Sequence, residues 1–415
     1  MRDERRSLLG RVGRFDAIVL TSALWFLAKF VRFAFPPLFE RLAGVYDVSA
    51  AVLGTAFSGL LLVYAVVQFP SGLLADRFSS VGVIGAGTGL AAVGALALAV
   101  DSPLAVLVGA MLTIGAGTGP VKTVGIRVLS RTYPERTGRA LGVFDTFGTF
   151  GGAAAPAAVV LFAAAPGLVG AGWRTTFLVA GAVGIAVTVA FVARVPRRLP
   201  DEGTGATDAG TDGADDGTAV PIREYGALFR EWRFSTFVLV TTLFSFAYNA
   251  TLAFLPLYFT REAGLGSTTA SLLFSALFAV SLVQLLTGEI SDRTGELPLV
   301  ALTVGLATAG LGAILLLSGV AGPLVLGGAV VCLGIGAHGY RPVRGAYLMS
   351  VIPASVAGGS LGAVRTIQMV AGASSPALVG VLSETAGLRP AFGVLVAALL
   401  VATVLSVLLW LFDPS

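Results

Sequence analysis

Apolar runs long enough to cross a lipid bilayer follow one another along almost the whole chain. A transmembrane helix needs about 20 mainly apolar residues, and twelve segments of this kind can be counted. They cover about residues 16–38, 49–74, 81–100, 104–130, 138–163, 173–194, 234–259, 268–290, 297–318, 323–349, 358–382 and 390–412. These runs are too long and too continuous for the alternating pattern of a membrane β-barrel. The sequence therefore predicts an all-α polytopic membrane protein with twelve transmembrane helices.

The composition excludes several other classes of protein. Charged residues make up 12% of the chain, about half the share that a soluble protein carries. The net charge is only +4 and the arginines lie mostly in short loops, so nucleic acid is not an expected partner. The single cysteine, Cys332, excludes a disulfide within the chain and a multi-cysteine metal site. We expect contacts with membrane lipids, and no metal or cofactor.

The distribution of arginine predicts which side of the membrane each loop faces. Arginines cluster at the N-terminus, after the fourth apolar run and in the central connection. These are Arg2, Arg5, Arg6, Arg11 and Arg14, then Arg131, Arg136 and Arg139, then Arg194, Arg197, Arg198, Arg223, Arg230 and Arg233. Since positively charged loops stay in the cytoplasm, both termini and the central connection are predicted to be cytoplasmic. The expected location is the cell membrane.

An internal repeat divides the chain into two halves. The segment from Gln68 to Arg77 returns 216 residues later as Gln284 to Arg293, and the fourth and fifth apolar runs have similar counterparts. The repeat predicts two pseudo-symmetric six-helix bundles, residues 1–195 and 223–415, with a cavity between them near the bilayer midplane. The connection, residues 196–222, contains the stretch Asp201 to Thr218, which is rich in Gly, Thr and Asp. We predict that it is a disordered cytoplasmic linker.

The repeated segment carries a short motif after the second apolar run of each half. It reads Gly72-Leu-Leu-Ala-Asp76-Arg77 in the first half and Asp292-Arg293-Thr294-Gly295 in the second. Both copies resemble the cytoplasmic signature of the major facilitator superfamily, as does the stretch from Pro134 to Gly142. The resemblance implies the twelve-helix fold of that superfamily, secondary transport by alternating access, and a monomer.

The resemblance also implies that the loops carrying the motif latch the cytoplasmic side of the transporter. The gating candidates are Gly72, Asp76, Arg77, Asp292, Arg293, Arg127 and Arg139. Gly72 is expected to let two helices approach closely. Asp76 is expected to accept hydrogen bonds from a facing helix or to pair with an arginine such as Arg127.

Basic residues inside the apolar runs outnumber the acidic ones. A charge near the bilayer centre costs at least about 2.5–3.5 kcal/mol on insertion scales, so it normally faces a cavity or a partner. Lys29 and Arg32 share a helix face midway along the first run, Lys122 lies in the fourth and Arg341 in the tenth. Asp145 is the acid at comparable depth. Because cations repel one another in a low dielectric, these four basic residues are the candidate site for an anion.

Other polar residues complete the candidate site. Tyr248 and Asn249 are added to it because Tyr248 lies at the repeat position of Arg32. The only histidine, His338, and Asp145 are alternative candidates for proton coupling, since histidine changes charge near neutral pH. Aromatic residues at similar depth, such as Trp25 and Phe147, are interpreted mainly as packing residues.

The sequence favours a transporter of a small organic or inorganic anion, with symport of protons as a hypothesis. The stretch from Lys29 to Pro36 is similar to anion-transporting branches of the superfamily. The alternative on the same fold is efflux of drugs or sugars. A membrane enzyme or a sensor is disfavoured, because there is no cluster of metal ligands, no Walker-type motif and no soluble signalling domain.

Overall fold

The computed structural model describes residues 15–164, 170–199, 228–353 and 357–412, and these residues form helices without strands. The first half of the chain contains α1 (Asp16–Phe33), α2 (Phe39–Tyr46), α3 (Ala50–Arg77), α4 (Ser80–Ala97), α5 (Leu104–Thr132), α6 (Thr137–Ala164) and α7 (Gly172–Arg194). The second half contains α8 (Trp232–Arg261), α9 (Ser267–Ala279), α10 (Val283–Thr294), α11 (Glu296–Leu317), α12 (Pro323–Val351), α13 (Ala357–Thr385) and α14 (Leu388–Phe412).

Twelve helical segments among the described residues are long and apolar enough to cross a membrane. The α-helix of each span begins within two residues of the start of a predicted apolar run. The predicted all-α class with twelve transmembrane helices is therefore confirmed.

Two of the spans are interrupted. In the first, α1 ends at Phe33 and the chain continues through a 3-10 turn, Pro36–Leu38, into α2. Adjacent prolines explain this break, because proline lacks a backbone N–H and disfavours helix in the preceding residue. In the eighth span, a 3-10 turn at Val280–Leu282 separates α9 from α10.

The signature motif lies in a helix, so its predicted position in a loop is wrong. Helix α3 continues to Arg77, and the chain turns only at Phe78, before Ser79 caps α4 by accepting a hydrogen bond from the amide of Gly82 at 2.9 Å. The predicted close approach at Gly72 is also wrong, because a β-carbon there would meet no described atom within 4 Å. The motif residues Asp292 and Arg293 lie in the last turn of α10.

Other glycines do let helices approach closely. Gly117 of α5 faces the carbonyl of Gly87 and the backbone of Ala91 in α4, and Gly336 of α12 faces Thr303 and Ala307 of α11. A β-carbon at Gly117 or at Gly336 would lie less than 3.0 Å from these backbones. Small residues therefore set the spacing of equivalent helix pairs in the two halves.

The chain divides into two compact units. The first comprises Met1–Asp47 and Gly59–Thr204, and the second comprises Val48–Ser58 and Gly205–Ser415. The first turns of α3 thus belong to the second unit, where the amide of Ala51 donates to the carboxylate of Glu384 at 2.8 Å. The bundle boundaries at 195 and 223 stay a prediction, and residues 200–222 of the predicted linker lie outside the described residues.

Candidate functional site

Three basic residues of the first unit surround the ring of Trp25. Lys29 and Arg32 follow Trp25 on one face of α1, and Lys122 reaches the ring from α5. The Lys29 ammonium lies 5.4 Å, the Arg32 guanidinium carbon 5.4 Å and the Lys122 ammonium 5.5 Å from the ring centroid. We call Trp25, Lys29, Arg32 and Lys122 the Trp25 cluster. The structure therefore brings together the three basic residues that the sequence selects in this half.

Arg32 is fixed in place by several contacts. Only 5% of the residue is exposed, its Nε donates to the carbonyl of Ala28 at 3.0 Å, and its guanidinium carbon lies 4.0 Å from the centroid of Tyr64. Arg32 lies in the last turn of α1 and not midway along a helix, because α1 ends early. A cation at that end is favoured by the helix dipole.

Lys122 forms an ion pair with Asp145 across α5 and α6. The ammonium also lies 5.3 Å from the centroid of Phe144. The Lys122 side chain is 21% exposed and that of Asp145 is 51% exposed, so the carboxylate faces open space on one side. Counting Lys29, Arg32, Lys122 and Asp145 together, the formal charge of this region is positive.

A second basic group lies in the second unit. The guanidinium carbon of Arg341 is 5.8 Å from the ring centroid of Tyr248. His338 is fully buried, with its ring 6.5 Å from that of Tyr248 and 6.1 Å from that of Phe278. The structure therefore places His338 beside the Tyr248–Arg341 pair.

Asn249 has the contacts of a helix-packing residue. Its amide nitrogen donates to the carbonyl of Ser245 at 2.9 Å and lies 2.6 Å from the position that a β-carbon would take at Gly372. Asn249 thus turns toward α13. Its part in substrate binding stays a prediction.

Three of the candidate gating residues, Asp76, Arg127 and Arg293, make ion pairs. Asp76 contacts Arg127, and Arg293 bonds to Glu289 at 2.6 Å within α10. Arg77 and Arg139 are exposed. Only the Asp76–Arg127 pair joins two helices, and gating by these residues stays a prediction.

Trp25 is not among the residues that the charge pattern selects, although a signal for it exists. Positions 25, 29 and 32 have the i, i+4, i+7 spacing of one helix face. The contacts of Trp25 with Lys122 and with the ring of Phe144, 5.6 Å away and nearly parallel, depend on the packing of three helices. Such contacts cannot be read from the spacing within one helix.

Known proteins resemble this chain over most of its length. The "Probable sulfoacetate transporter SauU" of Cupriavidus necator is 28% identical over 353 residues, which are 81% of this chain and 79% of that protein. Among solved structures, a peptide transporter in complex with sulfate has a TM-score of 0.77 at 17% identity, covering 97% of this chain and 94% of that one. An inward-facing, occupied bacterial homolog of the human lysosomal transporter Spinster has a TM-score of 0.76 at 16% identity, covering 96% and 98%.

At these identities the solved structures show a common fold. The family is shown by the sequence, because residues 21–376 match the Major Facilitator Superfamily. The resemblance predicted from the signature motif is thereby confirmed, as is the expectation of a transporter in place of an enzyme. This chain belongs to the Major Facilitator Superfamily and is a multi-pass membrane transporter of a small molecule.

Proposed function

We propose that this protein transports a small organic anion across the cell membrane and that Lys29, Arg32 and Lys122 bind the acidic groups of that anion. The observation that carries the proposal is the Trp25 cluster, in which three cations lie within 5.5 Å of one ring centroid. Arg341, next to Tyr248, is the proposed contribution of the second unit.

The charges of the first unit support an anion more than a neutral or cationic substrate. Among the described spans of the first unit, the acid that lies in the interior of a span is Asp145, and it contacts Lys122. The other acids of these spans lie nearer to span ends; they are Asp16, Glu40, Asp76 and Glu135. Bringing several cations together in a low dielectric is unfavourable unless an anion compensates them.

The relative from C. necator suggests which anions to try first. Its name identifies sulfoacetate, a small anion with one sulfonate and one carboxylate group. An arginine fork can bind two oxygens of such a group in one plane, and a lysine adds a point charge. Sulfoacetate and other small anions with two acidic groups are therefore the leading substrate candidates.

Thermal stabilisation of the purified protein tests this proposal. A ligand at 100 times its dissociation constant stabilises the protein by about 2.7 kcal/mol, so sulfoacetate should raise the unfolding midpoint. Arg32→Gln should abolish the shift, whereas the control Arg230→Gln, which changes an exposed residue outside the spans, should retain it. Stabilisation by lipophilic cations or sugars alone would replace the proposal with efflux of such compounds.

We also propose that the anion moves together with a proton carried by Asp145. A proton on Asp145 removes its attraction for Lys122, and an anion at Lys122 removes the attraction of Lys122 for Asp145. The Lys122–Asp145 ion pair opposes binding of both the proton and the anion, and each of them weakens this pair when it binds. Binding of one therefore favours binding of the other.

The variant Asp145→Asn should separate transport of the anion from its coupling to the proton. The variant should exchange anions across a liposome membrane yet lose accumulation driven by a pH gradient. His338→Gln should keep both activities. Accumulation that persists in Asp145→Asn and is lost in His338→Gln would assign coupling to the histidine instead.

Several other features complete the proposal. Two six-helix bundles, residues 1–195 and 223–415, alternate access to the site, and residues 196–222 connect them in the cytoplasm. Both termini are cytoplasmic and the working form is a monomer. The Asp76–Arg127 pair, which joins the ends of α3 and α5, supports a cytoplasmic latch.

A further inference from the structure

Trp25 occupies an unusual position for a buried packing residue. It is only 3% exposed and stacks on Phe144, with centroids 5.6 Å apart and ring planes 17° from parallel. Its ring is at the same time within 5.5 Å of Lys29, Arg32 and Lys122. Tryptophan is the side chain whose face attracts cations most strongly.

The geometry around the ring brings the three charges within reach of one small molecule. Each charged group lies 5.4–5.5 Å from the same centroid, so no two of them can be more than about 11 Å apart. Like charges at such distances repel one another in a medium of low dielectric constant. Attraction to the ring offsets part of this repulsion while the site holds no anion.

The position of the ring is fixed by α6. A β-carbon at Gly148 would lie less than 3.0 Å from Nε1, Cδ1 and Cε2 of the indole. Phe144, one turn earlier on the same helix, stacks against the ring. Gly148 thus makes room for the indole, and Phe144 sets its plane.

We propose that Trp25 is a positioning residue of the anion site, holding Lys29, Arg32 and Lys122 around its indole in the arrangement in which they bind the anion. The inference rests on the proposed transport of an anion. It adds that the ring organises the site, and that the surroundings of the indole change when the anion binds.

Tryptophan fluorescence gives a readout that a purely structural role would not affect. The chain has four tryptophans, and the control is Trp410→Phe, because Trp410 is 48% exposed on α14. Titration with sulfoacetate should produce the same saturable change in emission in the wild type and in Trp410→Phe. In Trp25→Phe this change should disappear. The dissociation constant, measured by thermal stabilisation, should rise about tenfold, the effect expected when weaker cation–π contacts hold the three groups less firmly.

Uptake kinetics and a glycine variant distinguish the loss of a positioning role from misfolding of Trp25→Phe. KM should rise about tenfold with little change in kcat, since the substitution weakens binding of the anion. Gly148→Ala keeps the indole but displaces it, and should also raise KM. Gly89→Ala, where a β-carbon meets no described atom within 4 Å, should leave KM unchanged.

The outcomes separate this inference from the proposed function. If the wild type binds none of the anions tested, both are overturned. If the wild type binds sulfoacetate and Trp25→Phe retains its affinity and its emission change, the transport proposal stands and only the role of Trp25 is overturned.

Discussion

Arg32, a proposed ligand of the anion, is held in place by several contacts. Its Nε bonds to the carbonyl of Ala28 at 3.0 Å, and its guanidinium lies against the rings of Tyr64 and Trp25. These contacts use the planar faces and one N–H group of the guanidinium. They leave further N–H donors of the fork for an acidic group.

The planar shape of the Arg32 side chain should matter as much as its charge. Arg32→Lys keeps the charge but loses the bond to Ala28 and the stacking on Tyr64, so we expect KM for the anion to rise about tenfold. Arg32→Gln should raise KM further. Uptake into proteoliposomes measures both, and equal kinetics for Arg32→Lys and the wild type would contradict the proposed bidentate role.

The sequence could predict part of the candidate site. Lys29 and Arg32 lie on one helix face by spacing alone, and the depth of Lys122 marks it as unusual. The pairing of Lys122 with Asp145 and the position of Trp25 between α1, α5 and α6 depend on tertiary packing. The contact of Asn249 with α13 also depends on tertiary packing, because nothing local indicates that it faces Gly372.

At the scale of elements, equivalent glycines should control the stability of both halves. Gly117→Ala and Gly336→Ala each insert a methyl group against a backbone less than 3.0 Å away, at an expected cost of about 1–3 kcal/mol. Gly89→Ala is the matched control and should be neutral or slightly stabilising. Unfolding midpoints in detergent measure these effects, and unchanged midpoints for the first two variants would contradict the packing.

Threonine pairs join equivalent helices in the two halves. Thr188 of α7 donates to Thr88 of α4 at 2.9 Å, and Thr308 of α11 lies 2.7 Å from Thr403 of α14. Thr188→Val and Thr403→Val should each destabilise the protein by about 0.6 kcal/mol, the typical value for such bonds in membranes. Thr146→Val, whose hydroxyl bonds to a carbonyl of its own helix, should cost less in the same assay.

Apolar runs in the sequence predict the positions of the helices, but local sequence explains only one of the two interruptions. Adjacent Pro36 and Pro37 account for the break after α1. The turn at Val280–Leu282 contains neither glycine nor proline. Val280 packs there against Gly334 of α12, a contact between helices that a local pattern does not contain.

For the whole molecule, the distribution of arginine makes a prediction about topology. With Cys332 replaced by serine, single cysteines at Arg197 and Val320 should lie on opposite sides of the membrane, since three spans separate them. A membrane-impermeant maleimide added to intact cells should label Val320→Cys and not Arg197→Cys. The reverse pattern would place the termini outside the cell.

The proposed activity depends on both the family and the charge of the site. Membership of the superfamily establishes transport, and the Trp25 cluster carries the choice of an anion. In this proposal, substrate chemistry depends on a few residues inside a fold that this chain has in common with a peptide transporter.

Counterflow uptake of labelled sulfoacetate into proteoliposomes tests this central claim most directly. Liposomes preloaded with unlabelled sulfoacetate should take up the label with the wild-type protein and with Arg230→Gln. Arg32→Gln should show uptake no greater than protein-free liposomes. Absence of uptake by the wild type for sulfoacetate and other small anions, or full uptake by Arg32→Gln, would contradict the account.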